Sequence, residues 1–367
     1  MVGEAARALD TVENEMALGH QALLLLRRNS AAAAEAQRRG LLYREAEFMG
    51  GFRPWSLWRD IFRLRRFVAA NAVDIIHVHR SKEHWLAAVA CGHRLPVVRT
   101  RHVVMPIRSH IANRWLYTRA TAGVICVSLA VAGVFYRSLP FYRGPLGIIA
   151  GGVDIERVQT QISTAGQTLR QRLGIPPEAP IFTLLARIDR VKGHLHVVAA
   201  MPEILRHEPQ AVFLFAYPRQ SIYRREVEAA IRRLGLEKHV FWVGELTNIG
   251  EALAISTAGI IASVGSEGWS RAAMEFLAAG VPVIGTDVGS IPEIVRHEET
   301  GIIVPPADAS ALAAAAVRLL SDTALCQRMR AACRKAAAFY SLRRMAEETI
   351  AFYKSVSAAH CAKLGQQ

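Results

Sequence analysis

The chain has 367 residues, of which 51% are hydrophobic and 21% charged, with a formal net charge of +14. That length exceeds one ordinary core and points to two domains. The longest nearly apolar run, Thr121 to Phe135, is interrupted by Ser128 and falls short of the roughly 20 residues of a membrane span, so it reads as a strand running into a helix.

Five cysteines (Cys91, Cys126, Cys326, Cys333, Cys361) form no C-x-x-C pair. The odd count argues against a disulfide frame or zinc site and fits buried free thiols in a reducing cytosol. No basic segment followed by an apolar block opens the chain, so no secretory leader is expected. Residues 1–150 carry 21 Lys/Arg against 10 Asp/Glu, and the remainder 24 against 21. A basic first half beside a near-neutral second half implies a negatively charged partner: nucleic acid, anionic lipid or a phosphorylated glycan. Few aromatic platforms interleave with the arginines, which argues against single-stranded nucleic acid. A merely solvated basic surface is the alternative.

In chain order, Met1 to Leu18 reads as a helix, with Val2-Gly3-Glu4 as a possible turn remnant. Gln21 to Leu26 is a strand, Ser30 to Arg39 an Ala-rich helix, and Leu41 to Phe48 another strand. Trp55 to Asn71 is a basic amphipathic helix holding the cluster Arg63, Arg65 and Arg66. Val73 to Val78 is a strand, Lys82 to Cys91 a helix, Pro96 to Val104 a strand and Ile111 to Thr121 a helix. Gly123 to Ser128 (strand) and Leu129 to Arg137 (helix) complete this half. The alternation predicts a parallel sheet flanked by helices. His77 and His79, two apart in a strand, share one face. A metal pair is conceivable there, but no third ligand is evident. His102 ends Arg99-Thr100-Arg101-His102 near a strand terminus.

Within Leu146 to Asp154, Gly151 and Gly152 permit the backbone angles of a hinge, and the polar stretch through Pro180, with helix-forming patches and Pro176-Pro177, reads as a domain boundary. The second half opens with strand Ile181 to Ile188, then Asp189-Arg190-Val191-Lys192-Gly193-His194. A helix from His194 to Arg206 contains Pro202, which predicts a kink or break. Strand Ala211 to Ala216, helix Tyr223 to Leu234 and strand Val240 to Gly244 follow. The apolar run Gly259 to Val264 then leads through Gly265, Ser266, Glu267 and Gly268 into a helix capped at Ser270 and closed by Gly280. Val281 to Ile284 is the next strand, so this is a strand–loop–helix–strand unit whose ligand crevice lies beyond the strand C-termini. Glu275, inside an apolar helix, must be paired or hydrogen-bonded. Thr300 to Pro306 is a strand and turn, Ala307 to Leu320 a helix capped near Asp308. Two polar-faced helices, Asp322 to Ala338 and Leu342 to Ser357, end the chain.

Glu267 and Glu275 form E-x7-E, followed by Gly280-Val281-Pro282-Val283-Ile284 and Asp287-Val288-Gly289-Ser290-Ile291-Pro292-Glu293. This pattern resembles the donor-site signature of the retaining glycosyltransferases of family 4, which have the GT-B fold and are similar to glycogen synthase. The resemblance implies an α/β architecture of two Rossmann-like parallel-sheet domains facing a cleft. It implies an acceptor domain at residues 1–155, a nucleotide-sugar domain at 156–340, and a C-terminal helix at 341–367 crossing back to the first domain. By matching position, Glu267 would approach the donor sugar's hydroxyls and Glu275 would hold the ribose. Arg187 and Lys192 would clamp the donor diphosphate, and His102 would contact the donor sugar. Gly268, Trp269, Ser270 and Gly3 are the remaining substrate-binding candidates, and Gly244-Glu245-Leu246 lies where relatives contact the base. Basic groups at strand ends can neutralise charge building on a diphosphate leaving group.

No D-x-D pair is present, so metal-independent chemistry without a cofactor is expected, the nucleotide-sugar being the donor substrate. The resemblance also expects a strand before the opening helix. Its absence would leave two neighbouring strands without a hydrogen-bonding partner, and a start further upstream is the favoured explanation. The implied activity is a hexosyl- or heptosyl-type transfer with retention of configuration in lipopolysaccharide or other cell-envelope polysaccharide synthesis. The implied acceptor is an anionic glycan or lipid-linked glycan, with the protein cytoplasmic, in possible peripheral contact with the inner membrane and without nucleic acid. Alternatives are a non-catalytic or defective nucleotide-sugar-binding protein, a nucleotide-sugar 2-epimerase, and a periplasmic-type binding protein, the last unsupported without a leader.

Overall fold

A computed structural model describes residues 3–46, 54–92, 94–165, 168–216, 221–244, 246 and 248–364. The chain divides into two compact units, residues 1–152 with 342–367, and residues 153–341.

The first unit runs α1 (Gly3–Ala17), β1 (Leu24–Leu26), α2 (Ala31–Arg38), β2 (Tyr43–Glu45), α3 (Pro54–Ala70), β3 (Ile76–Val78), α4 (Ser81–Cys91), β4 (Val97–Arg101), α5 (Ile111–Arg119), β5 (Gly123–Cys126), α6 (Leu129–Ser138) and β6 (Leu146–Ile148). Met1, Val2 and the Glu47–Phe48 end of the second expected strand lie outside the described residues. The strands do not join into one sheet. β3-β4-β5-β6 form a parallel four-stranded sheet, and β1 pairs in parallel only with β2. Among the described residues, β1 and β3 therefore each have one hydrogen-bonded neighbour. Side chains still link the two ladders: Leu25 and Ile76 pack against the same cluster of Ile61, Leu64, Val78 and Leu86.

The second unit runs α7 (Ile155–Ala165), α8 (Thr168–Arg172), β7 (Ile181–Leu185), α9 (His194–His207), β8 (Val212–Ala216), α10 (Tyr223–Arg233), β9 (Val240–Val243), α11 (Gly250–Ile255), β10 (Ala258–Ile261), α12 (Arg271–Ala279), β11 (Val283–Thr286), α13 (Ile291–Ile294), β12 (Gly301–Val304), α14 (Ala309–Ser321) and α15 (Thr323–Ala337). Its six strands form one parallel sheet in the order β12-β11-β10-β7-β8-β9. The crossovers are helices, as parallel pairing requires. The last helix, α16 (Leu342–Leu364), belongs to the first unit, where Met345 and Val356 join the core of Val98, Ile125 and Ile149.

One local expectation is corrected. The helix α9 continues without a break through Pro202. Its Val197, Val198, Met201 and Ile204 are all buried in the main core of the unit, and that burial outweighs one lost backbone hydrogen bond. The polar stretch after Asp154 forms helices at the start of the second unit. Ile155–Ala165 and Thr168–Arg172 fold as α7 and α8, with Val158 and Leu169 fully buried. No single described helix is long and apolar enough to cross a membrane. Cys91, Cys126, Cys326 and Cys333 are buried free thiols and Cys361 is exposed.

Candidate active site

Three loops at the C-terminal ends of β7, β10 and β11 build the site. After β7, Asp189 caps the short turn Arg190–Lys192 by accepting from the Lys192 amide at 3.1 Å. Gly193 follows at φ +69°, where a Cβ would lie 1.9 Å from the Ala262 carbonyl oxygen. Only glycine lets this turn lie so close to the end of β10. The Val264 amide donates to the Val191 carbonyl at 2.8 Å and locks the two loops together.

This closeness brings Lys192 to Glu267. The ammonium donates to Glu267 Oε2 at 2.5 Å, and the buried Ser263 hydroxyl donates to the same oxygen at 2.8 Å. Glu267 is only 6% exposed, so the ion pair supplies the compensation a buried carboxylate needs. Thr286, on β11, donates its hydroxyl to the Ser263 carbonyl at 2.6 Å. The Ser290 amide donates to the Glu267 carbonyl at 3.0 Å. Each side of the Glu267 loop is thus tied to a neighbouring strand end.

Glu275 lies one loop further on, inside α12. It is 8% exposed and pairs with Arg271 Nε at 3.0 Å, one helical turn earlier. Ser270 stands at the N-cap of α12, but its side chain makes no capping hydrogen bond, and Gly280 closes the helix at φ +70°. Gly268 is buried. Trp269 is turned inward, its indole N–H donating to Met274 Sδ at 3.2 Å and its ring lying 5.7 Å from that of Tyr340. Arg187 does not join Lys192 on Glu267. It pairs with Asp189 at 3.2 Å, and its side chain is 70% exposed. Asp189 therefore holds Arg187 with one oxygen and the Lys192 turn with the other.

The remaining candidates lie in the first unit. Gly3 is exposed in the first turn of α1. His102 follows β4, with Nε2 at 3.0 Å from His79 Nδ1. His77 is held between Tyr353 OH at 2.5 Å and Thr100 Oγ1 at 2.6 Å. These histidines bind one another and their neighbours; among the described residues no group of three His, Cys, Asp or Glu is arranged to hold a metal ion. Glu245, in the stretch expected near the base, lies outside the described residues.

Burial, with Arg7 and Arg99 adding to it, lowers His77 to about 3. Burial, then Arg7 and Arg99, lowers His102 to about 2. The folded protein thus refuses a proton that the unfolded chain takes near 6.5. The stability contributed by neutral His77 is complete above that value and is lost as pH falls from 6.5 toward 3, by up to about 1.4 kcal/mol per pH unit. Glu15, raised to about 7 by burial, acts in the opposite direction. The expected result is that His77→Gln flattens the fall in stability between pH 6.5 and 5 relative to wild type, measured by urea unfolding. An identical slope in both proteins would remove His77 from the acid response.

Comparison with known proteins decides what the site belongs to. Residues 166–336 match the family model described as glycosyl transferases group 1, and residues 3–157 match that of glycosyltransferase family 4. The chain is a group 1, family 4-type glycosyltransferase. Over 320 residues, 79% of this glycosyltransferase and 81% of the relative, it is 28% identical to an alpha-maltose-1-phosphate synthase of Mycobacterium tuberculosis (strain CDC 1551 / Oshkosh). It is also 28% identical over 201 residues to the lipopolysaccharide core biosynthesis mannosyltransferase LpsB of Rhizobium meliloti (strain 1021), covering 53% of this chain and 56% of that one. Its fold is that of a glycosyltransferase from Rickettsia africae ESF-5 (TM-score 0.87, 20% identity, 96% and 94% of the two chains covered). Anabaena Alr3699/HepE, solved in complex with UDP, shares it as well (TM-score 0.81, 20% identity, 96% of each chain). Both are GT-B neighbours, so the two units of this glycosyltransferase are its two Rossmann-like domains.

The sequence pattern pointed to Glu267, Glu275, Arg187 and Lys192 but not to the residues that hold them. Asp189 carried a usable signal, a cap residue before a short turn. Ser263 and Arg271 carried none, because a serine ending a buried strand and an arginine opening a helix are both commonplace.

Proposed function

We propose that this glycosyltransferase moves a hexosyl- or heptosyl-type sugar from a nucleotide-sugar to an anionic acceptor, with retention of configuration and without a metal ion. The observation that carries the reading is the Lys192–Glu267–Ser263 cluster at the ends of β7 and β10. Glu267 Oε2 is occupied by Lys192 and Ser263, which orients the carboxylate so that Oε1 can accept from a sugar hydroxyl. Lys192 and Arg187 stabilise the departing diphosphate. Glu275, held by Arg271, receives the ribose hydroxyls. In the family precedent the leaving oxygen itself takes the acceptor proton, so no protein base is needed. The UDP complex of Anabaena Alr3699/HepE supports a nucleotide donor of this kind.

Calorimetric titration with UDP, GDP and ADP, followed by NMR of the product formed from the matching donor, tests the reading. An α-linked product from an α-linked donor is expected. Conversion of the donor sugar without any acceptor would overturn it in favour of an epimerase.

The acceptor side rests on the basic first domain and on α3. Trp55, Trp58 and Phe62 stand 88%, 69% and 62% exposed along one side of this helix, while Ile61 and Leu64 anchor it to the core. Arg59, Arg63 and Arg66 are exposed beside them, Arg66 lying 5.9 Å over the Phe62 ring. Exposed tryptophans among arginines suit the plane of an anionic membrane surface. The proposed acceptors are a phosphorylated lipopolysaccharide core or a polyprenyl-diphosphate-linked glycan, met at the cytoplasmic face, and the likeness to LpsB supports the first. Replacing Trp55 and Trp58 together by serine should weaken sedimentation with phosphatidylglycerol vesicles at least about 10-fold. Added salt should weaken wild-type binding too. Equal, salt-insensitive binding to neutral vesicles would contradict the membrane role.

A further inference from the structure

The first domain holds a cavity of about 290 Å³ that no part of the donor chemistry uses. It lies at the C-terminal end of β4, between α4 and α5, lined by Ser81, His84, Arg101, Arg108, Asn113 and Tyr117 among others. Ligands of parallel α/β sheets bind at that end of the strands.

What sets the cavity apart is charge without compensation. Arg101 is 7% exposed, and its Nη2 donates to the Met105 carbonyl at 2.8 Å, but its Nε has no partner. Arg99, two residues earlier on the same face of β4, is 5% exposed. Its Nε and Nη1 are also without partners, while its side chain hydrogen-bonds Tyr117. Among the described residues no carboxylate lies within ion-pair distance of either guanidinium. Buried guanidinium groups are ordinarily paired, and two of like sign on one strand face aggravate the penalty.

The other lining groups add no negative charge. The Thr121 hydroxyl donates to the Leu116 carbonyl at 2.7 Å, so the His84 Nε2 at 2.7 Å must be the donor to Thr121. Burial, with Arg99 and Arg101 adding to it, lowers His84 to about 3, and it stays neutral. Arg108 adds a further, exposed positive charge at the rim. Forked guanidinium donors match the oxygens of a phosphate. The volume, at the lower end for small-ligand sites, holds a phosphate with part of the group it esterifies.

We propose that this cavity is an anion subsite that binds a phosphomonoester, with Arg101 and Arg108 as its direct ligands and Arg99 behind them. Identifying that phosphate as the acceptor's own rests on the transfer reading above; the site itself does not.

The test titrates the full-length protein with inorganic phosphate by calorimetry. A Lys192→Ala background removes phosphate bound at the proposed donor site. One phosphate should bind, and Arg101→Met should weaken it at least 10-fold. In phosphate-free buffer Arg101→Met should melt no lower than its parent, because an uncompensated charge has left the interior. Arg108→Gln, at an exposed position where folding is not at stake, should weaken binding several-fold and serves should the Arg101 variant fail to fold. Phosphate binding that neither substitution alters, or no phosphate binding in the Lys192→Ala background, overturns the proposal. UDP, GDP and ADP titrations of the same proteins judge the donor reading separately. Glucose 1-phosphate and phosphatidic acid vesicles distinguish a soluble phosphate from a lipid headgroup, and Arg101-dependent binding of either supports the site.

Discussion

Lys192→Ala should lower turnover at least about 10²-fold, with a smaller change in the KM for donor. In the structure the ammonium lies 2.5 Å from Glu267 Oε2, at the tip of a turn capped by Asp189. In the proposed reaction a diphosphate at that turn gains negative charge as the glycosidic bond breaks, so the interaction would strengthen toward the transition state. That is why kcat should carry the loss. The substitution also leaves Glu267 nearly buried without its cation, which for a fully buried pair costs about 3–5 kcal/mol. The Lys192 side chain is 21% exposed, so solvent reduces that figure. Adding Glu267→Gln to the Lys192 variant removes the stranded charge. Recovery of the melting temperature there would trace the stability loss to the stranded charge, and turnover of Lys192→Ala assayed well below its own melting temperature separates chemistry from folding. Normal turnover in Lys192→Ala alone would end the assignment.

Gly193→Ala is expected to be among the most damaging small substitutions in the second domain. Alanine at φ +69° carries the left-handed penalty of about 1–2 kcal/mol wherever it occurs. Here its Cβ would also lie 1.9 Å from the backbone oxygen of Ala262, so one of two strand ends has to move. A total of at least about 3 kcal/mol is expected, with turnover falling because Lys192 is the preceding residue. Gly174 and Gly235 are matched controls: both have positive φ, and nothing lies within 4 Å of an added Cβ. Alanine at either should show the conformational penalty alone. Urea unfolding of the three variants makes the comparison, and equal losses at all three sites would show that the close approach is not rigid.

The elements were legible because their periods are strong. Apolar runs such as Ile181–Leu185 and Ala258–Ile261 are buried on both faces and read as parallel strands. The glutamate pair was legible for a different reason: both members lie on one strand–loop–helix unit. The Lys192–Glu267 contact was not legible as a contact, since 75 residues separate its partners and only the β7–β10 pairing brings them together. Arg187 shows the limit of motif matching, for its position was marked but its partner Asp189 was not. That the helix runs on past Pro202 was not legible, because a local rule took no account of four neighbours held in the core. The cavity beside Arg101 left no trace in the pattern at all. Arg99-Thr100-Arg101 reads as an ordinary basic strand end until α4 and α5 close over one of its faces.

The divided sheet of the first domain has a consequence for how rigidity is shared out. In the second domain β11, β10, β7 and β8 are each flanked on both sides, whereas among the described residues of the first only β4 and β5 are. Amide protection against deuterium should therefore concentrate on the stretch that carries Arg99, Arg101 and the approach to His102, and fade toward Leu24–Leu26. The half of the molecule proposed to take the acceptor would then be firm at the proposed phosphate site and pliable a few strands away, a combination that suits acceptors of varied bulk.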